Sequence, residues 1–197
     1  MKKYKGYEAK QFTPASDPLP AGGYIVTILS TKEEAWKSGK GASVVFSFDV
    51  AEGEYKDFFA TQYRENTNED KKWKGNLRVT SPNEADEYFD SQVETFNKTI
   101  GAIEASNEGF GFDWRPVEDN DDWSQLKGKT VGVLYRNKEY DIDGKTGWTT
   151  EAAYFVDAEY IRSGKFKIPK DKPLKNKSSN FANGFVHIDN GDDDLPF

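Results

Sequence analysis

Several stretches of this chain set cations beside flat rings. Lys71-Lys72-Trp73-Lys74 crowds lysines around one indole, with Arg78 a few residues on. Lys56, Phe58 and Arg64 share one face of a segment read with period two. Trp36 stands with Lys37 and Lys40 in a polar stretch, and Arg136, Lys138, Tyr140 and Trp148 flank the turn signal Asp143-Gly144. Cations suit phosphates and rings suit bases, and stacking is worth about 1–3 kcal/mol per base whatever the sequence. Each cluster also has a plain structural reading. Trp73 could anchor a loop in the core, Phe58 could be core, and Trp148 could be a cross-strand packing residue. A Trp in the polar segment 31–42 is harder to bury, so Trp36 is the ring expected to meet a ligand.

Enzymatic chemistry finds little to work with. His187 is the single histidine and lies far from the expected core, which argues against a His-based triad or metal cluster. Asp141-Ile142-Asp143-Gly144 departs from a calcium loop, because Gly stands at the fourth place and Lys145 at the fifth. Asp119, Asp121 and Asp122 could in principle hold Mg²⁺ for a nuclease, but a contiguous surface run seldom converges on one ion. No Gly-rich phosphate loop ending in Gly-Lys-Ser or Gly-Lys-Thr is present. The expectation is a protein that is not an enzyme and needs no cofactor and no metal.

The elements that must position these groups fit into 197 residues, enough for one core and a tail. A net charge of -7 argues against coating duplex DNA by bulk electrostatics, yet allows a basic groove on one face. There is no Cys, so disulfides and thiolate zinc sites are excluded and a reducing compartment fits. The basic start Met1-Lys2-Lys3-Tyr4-Lys5-Gly6 leads into no apolar run, so neither a signal peptide nor a membrane span is expected. Aromatics make up 15% of an otherwise hydrophilic chain, enough to serve both a β-rich core and a stacking surface.

Tyr24 to Leu29 is β-branched and reads as the first strand after the turn at Ala21-Gly22-Gly23. Ser43 to Val50 alternates, with Val44, Phe46, Phe48 and Val50 on one face. Tyr55 to Arg64 reads as the returning third strand, and 66–79 as a loop. Ser81 as N-cap, Pro82 at the first helical position and Glu84 in a capping box predict a helix whose apolar stripe runs from Ala85 to Ile103. Residues 109–125 read as irregular and acidic. Lys129 to Tyr140 and Trp148 to Ile161 read as a hairpin closed at Asp143-Gly144. Phe166-Lys167-Ile168 would add a short edge. From about residue 171 the composition no longer supports packing, and 171–191 reads as a tether.

Three strands, a helix and a hairpin follow the element order of a five-stranded OB-fold barrel, mainly β, with one helix between strands 3 and 4. That fold binds oligonucleotides on one face and through loops, here 31–42 and 141–147. The inference rests on element order and is an analogy. The organisation expected is a domain over 1–170 and a disordered acidic tail over 171–197.

The tail ends in Asp192-Asp193-Asp194-Leu195-Pro196-Phe197. A terminal Phe offers a ring and a carboxylate together, which suits a shallow apolar pocket rimmed by cations, and the Asp run would steer it toward a basic partner. This tip resembles that of bacterial and phage single-stranded DNA-binding proteins. The resemblance covers six residues, and the insertions around the helix are long for a minimal barrel, which points to the phage-encoded versions. It implies a tip that recruits replication and recombination proteins: polymerase, helicase, primase or recombinase mediator. It implies a protein of the bacterial host cytoplasm, with single-stranded DNA as its ligand. Homo-oligomerisation stays open, as does DNA against RNA. The alternative is an OB-fold adaptor of the replisome that holds protein rather than DNA.

Overall fold

The computed structural model describes residues 17–113 and 120–174. The tip Asp192 to Phe197, His187, Asp119 and most of the tether lie outside them. The described chain is mainly β: strands β1 (Gly22–Ala35), β2 (Ala42–Val50), β3 (Asn76–Thr80), β4 (Thr130–Ile142) and β5 (Lys145–Val156) form one antiparallel sheet in the order β3-β2-β1-β4-β5. Helices α1 (Phe58–Glu65), α2 (Phe89–Ala105) and α3 (Ala158–Arg162) lie after β2, β3 and β5, and a 3-10 helix spans Asn120–Leu126.

The alternation read in β2 decides which face is inside. Val44, Phe46, Phe48 and Val50 join Val26 and Ile28 of β1, Leu77 and Val79 of β3, Val131, Val133 and Tyr135 of β4 and Phe155 of β5 in one buried cluster. Helix α2 closes it with Phe96, Ile100 and Ile103. The outer face carries a second, smaller cluster, where Ile161 and Ala158 of α3 pack on Ile25 and Leu134. This close approach requires glycine: a Cβ on Gly132 would lie 2.7 Å from the Ile161 side chain and 2.9 Å from the Val156 carbonyl.

Several expectations are corrected. The segment from Phe58 to Glu65 is helix α1 rather than the third strand. Its first amides are capped from a distance, since the Asp49 carboxylate of β2 accepts from Phe59 N–H (2.9 Å) and Ala60 N–H (3.0 Å). The third strand lies instead in the expected loop, at Asn76–Thr80, paired to β2. The sheet is not closed as a barrel: among the described residues β3 and β5 share no ladder. Strand β3 is only five residues long, and α2 touches both β3 and β5 at that seam.

Helix α2 starts at Phe89, later than the cap expected at Ser81. The Ser81 hydroxyl is engaged with the Glu33 carboxylate, while Asn83 and Asp86 organise turns that end on Gln92. The final strand stops at Val156, where Asp157 caps α3 by accepting from Glu159 N–H. Phe166 packs against the outer-face cluster and adds no strand. Residues 171–174, expected to open the tether, lie along β4 instead. Lys172 donates its N–H to Asn137 and accepts from Glu139 N–H, each at 2.9 Å, in a parallel bridge. No helix among the described residues is long and apolar enough to cross a membrane.

Candidate functional site

Strand direction sorts the candidate residues. Val26 of β1 pairs with Val50 of β2, and Gly22 of β1 with Tyr135 of β4. The β1–β2 tip therefore projects from one end of the sheet and the β4–β5 tip from the other. Helix α1 follows Val50 and shares the end with the β4–β5 hairpin, where Phe59 stacks against Tyr135 at 6.4 Å.

At the first end, Trp36 turns its ring back over Gly41, whose Cβ would come within 2.9 Å of it, and donates its indole N–H to Ser43 Oγ at 2.7 Å. The ring is held by these contacts and is still 38% exposed. Lys37 and Lys40 are exposed beside it with no ion-pair partner among the described residues. On the outer face nearby, Lys32, Val45 and Arg78 stand in register across β1, β2 and β3. Arg78 is not a free cation: it meets Glu34 at 2.7 Å, as Lys32 does at 2.6 Å. The hydrogen bonds from Lys32 and then Arg78 hold the Glu34 carboxyl below its ordinary range.

At the second end, Lys56, Phe58, Arg64, Lys72, Trp73 and Lys74 gather around α1, but in mixed roles. Phe58 is half-buried against Tyr55 and Phe59. Trp73 is a core anchor: its indole N–H is shared between the Phe48 and Gly75 carbonyls at 3.1 Å each, and its ring leans on Phe59 and Tyr63. Lys71 sits 4.6 Å above the Tyr63 ring. Lys56, Arg64, Lys72 and Lys74 remain exposed. Glu54, Tyr55, Lys56, Phe58, Gln62 and Glu65 line a shallow cleft here, in which two carboxylates offset the lysine.

The β4–β5 hairpin splits its quartet. Arg136, Lys138 and Tyr140 alternate on the outer face, opposite Glu151, Thr149 and Gly147. Trp148 opposes Glu139 and so lies on the other face, 54% exposed. The acids Glu139 and Asp141 share that face, so Trp148 does not join the cations. Tyr140 lies over Gly147, where a Cβ would stand 2.6 Å from its hydroxyl oxygen. Arg136 (3.2 Å) and Lys138 (2.8 Å) both bind Glu151. So does Lys172, at 3.2 Å.

Sequence reasoning thus missed Lys32, Glu34, Glu151 and Lys172. Spacing gave the Arg136-Lys138-Tyr140 face, but nothing local announces a carboxylate across a hairpin or a lysine returning from a segment read as tether. No protein-family model matches the chain, and no curated protein matches it.

Proposed function

We propose that this chain is a single-stranded DNA-binding protein of OB type, phage-encoded and acting in the cytoplasm of a bacterial host, that holds strands with little sequence preference. The observation that carries the reading is the strand order β3-β2-β1-β4-β5 with α2 across the seam between β3 and β5. An OB fold is a five-stranded, partly open barrel that binds oligonucleotides on the face of its second and third strands and through its first and fourth strand loops. Those loops correspond to the β1–β2 and β4–β5 tips, and both present a ring seated on a glycine. Trp36 with Lys37 and Lys40 supplies one, and Tyr140 beside Arg136 and Lys138 the other. The acidic tip Asp192 to Phe197 recruits replication and recombination proteins in this reading.

The test is a titration of intrinsic Trp fluorescence with oligo-dT at low and high salt, using the full chain and a version lacking Asp192 to Phe197. Salt-sensitive binding with quenching, retained without the tip, supports the reading and assigns the tip to proteins. Absence of binding at low salt by either form overturns it and leaves the replisome adaptor.

A further inference from the structure

One carboxylate cannot neutralise three cations. Arg136 Nε and Nη2 and Lys172 Nζ all approach Glu151 Oε1 at 3.2 Å, and Lys138 Nζ approaches Oε2 at 2.8 Å. Three cations therefore converge on a single carboxylate on the outer face of the hairpin. Two neighbouring acids bind neutral amides rather than these cations: Asp171 accepts from the Asn137 amide at 2.9 Å, and Glu139 accepts from Leu174 N–H at 3.0 Å. Both bonds involve residues of the opposite face of β4, Asn137 and Glu139. Burial alone would raise the Glu151 carboxyl, but hydrogen bonds from Lys138 and Lys172 overcome it and hold the group below its ordinary 4.5. It therefore stays ionised and keeps the three cations aimed at one spot.

A ring stands next in line. Tyr140 shares the outer face with Arg136 and Lys138, and alternate residues of a strand are about 6.6–6.8 Å apart. It is seated on Gly147 and 37% exposed. The third cation arrives on residues 171–174, a strap fixed by its parallel bridge to β4. The root of the tail is thus built into this surface.

We propose that the outer face of the β4–β5 hairpin is a nucleotide subsite, in which Arg136, Lys138 and the strap residue Lys172 hold backbone phosphate, Tyr140 stacks a base, and Glu151 presets the cations. This rests on the single-strand reading above and adds that the strap is part of the binding surface. The polar partner it fits is a phosphodiester chain, because several cations around a shared point suit the several oxygens of phosphate.

The experiment compares the full chain with K172Q, K138Q and Y140L, titrated with oligo-dT across a salt series, with K165Q and K167Q as controls outside the cluster. K172Q keeps the backbone bridge, and equal melting temperatures check that the strap stays seated. K172Q and K138Q each weaken binding about fivefold at 0.1 M salt and flatten the log–log salt slope by about 0.7, the value of one phosphate contact on a single strand. K172R restores both. Y140L weakens binding at least about fivefold with the slope unchanged. If the parent binds and these variants match the lysine controls, the subsite is wrong while the single-strand reading stands. If the parent itself does not bind, the single-strand reading falls first and takes the subsite with it.

Discussion

Phe46 and Phe155 meet edge-on, their ring centroids 5.4 Å apart, although β1 and β4 stand between their strands in the sheet. Three inter-strand steps in a flat sheet span about 14 Å. The sheet is therefore curled until its inner face closes on itself. Phe48 reaches the same ring at 5.8 Å. The curl is held by side chains at the centre, with α2 at the seam and no closing ladder among the described residues.

Phe155→Ala should accordingly cost about 3–5 kcal/mol, the upper range for truncating a buried aromatic. Urea unfolding followed by far-UV circular dichroism measures it. A loss below 1 kcal/mol would mean that the curl depends on α2 rather than on the meeting of β2 and β5.

Two of the three tryptophans of the candidate clusters, Trp73 and Trp36, should separate cleanly. Trp73 is seated on backbone carbonyls and core rings, so Trp73→Leu is expected to lower stability by several kcal/mol with little change in the salt slope of strand binding. Trp36 is exposed at a hairpin tip, so Trp36→Ala should shift stability by about 0.5 kcal/mol or less while weakening binding by about 1–3 kcal/mol. Paired melting curves and titrations decide, and the reverse pattern would move the stacking surface from the β1–β2 tip to α1.

Much of the sheet was legible because its signals are local. The alternation of β2 grouped Val44, Phe46, Phe48 and Val50 on one face, which the sheet then shows to be the inner one, and the Asp143-Gly144 turn gave the hairpin; Asp143 and Gly144 adopt positive φ of 54° and 78°, as a tight turn needs. Helix α1 was not legible, because Tyr55, Phe59, Thr61 and Tyr63 can be read as one face with period two and its cap comes from Asp49 on a strand. Strand β3 was hidden by its length and by polar Asn76 and Arg78 on its outer face. What positions it is Gly75, where a Cβ would fall 2.3 Å from the Phe48 carbonyl. The candidate site was legible in kind, as cations and rings, but not in pairing. Whether Arg78 or Arg136 is free depends on Glu34 and Glu151, which only the register brings opposite them.

Tyrosine titration should report the same end of the sheet. Burial, then the neighbouring Tyr55 and Glu54, push Tyr24 up to about 12, and burial raises Tyr135 further. A raised folded value means that the stabilisation is full below the ordinary value of 10 and is lost as pH rises from there through the folded value. Ultraviolet difference absorbance of tyrosinate should therefore show a late, cooperative step above the titration of the exposed tyrosines, coincident with unfolding. Tyr24→Phe should shrink that step, and a single transition near pH 10 would contradict the burial of both rings.

Two glycines of the outer-face seam distinguish soft from hard contacts. A Cβ on Gly23 would meet only side chains, Ile161 Cδ1 at 2.8 Å and the Phe166 ring at 2.9 Å. A Cβ on Gly132 would meet Ile161 Cγ1 at 2.7 Å, but also the backbone carbonyls of Val156 at 2.9 Å and Asp157 at 3.0 Å. Side-chain ends can shift, whereas those carbonyls belong to the β5–α3 junction and cannot move without it. Gly132→Ala should cost about 1–3 kcal/mol as an overpacked site, and Gly23→Ala less. Removing the shared neighbour with Ile161→Ala should then rescue much of the Gly23→Ala loss and little of the Gly132→Ala loss in a double-mutant cycle. Equal rescue would show that α3 rides on the sheet through side chains alone, and that the junction after β5 yields more easily than its backbone contacts imply.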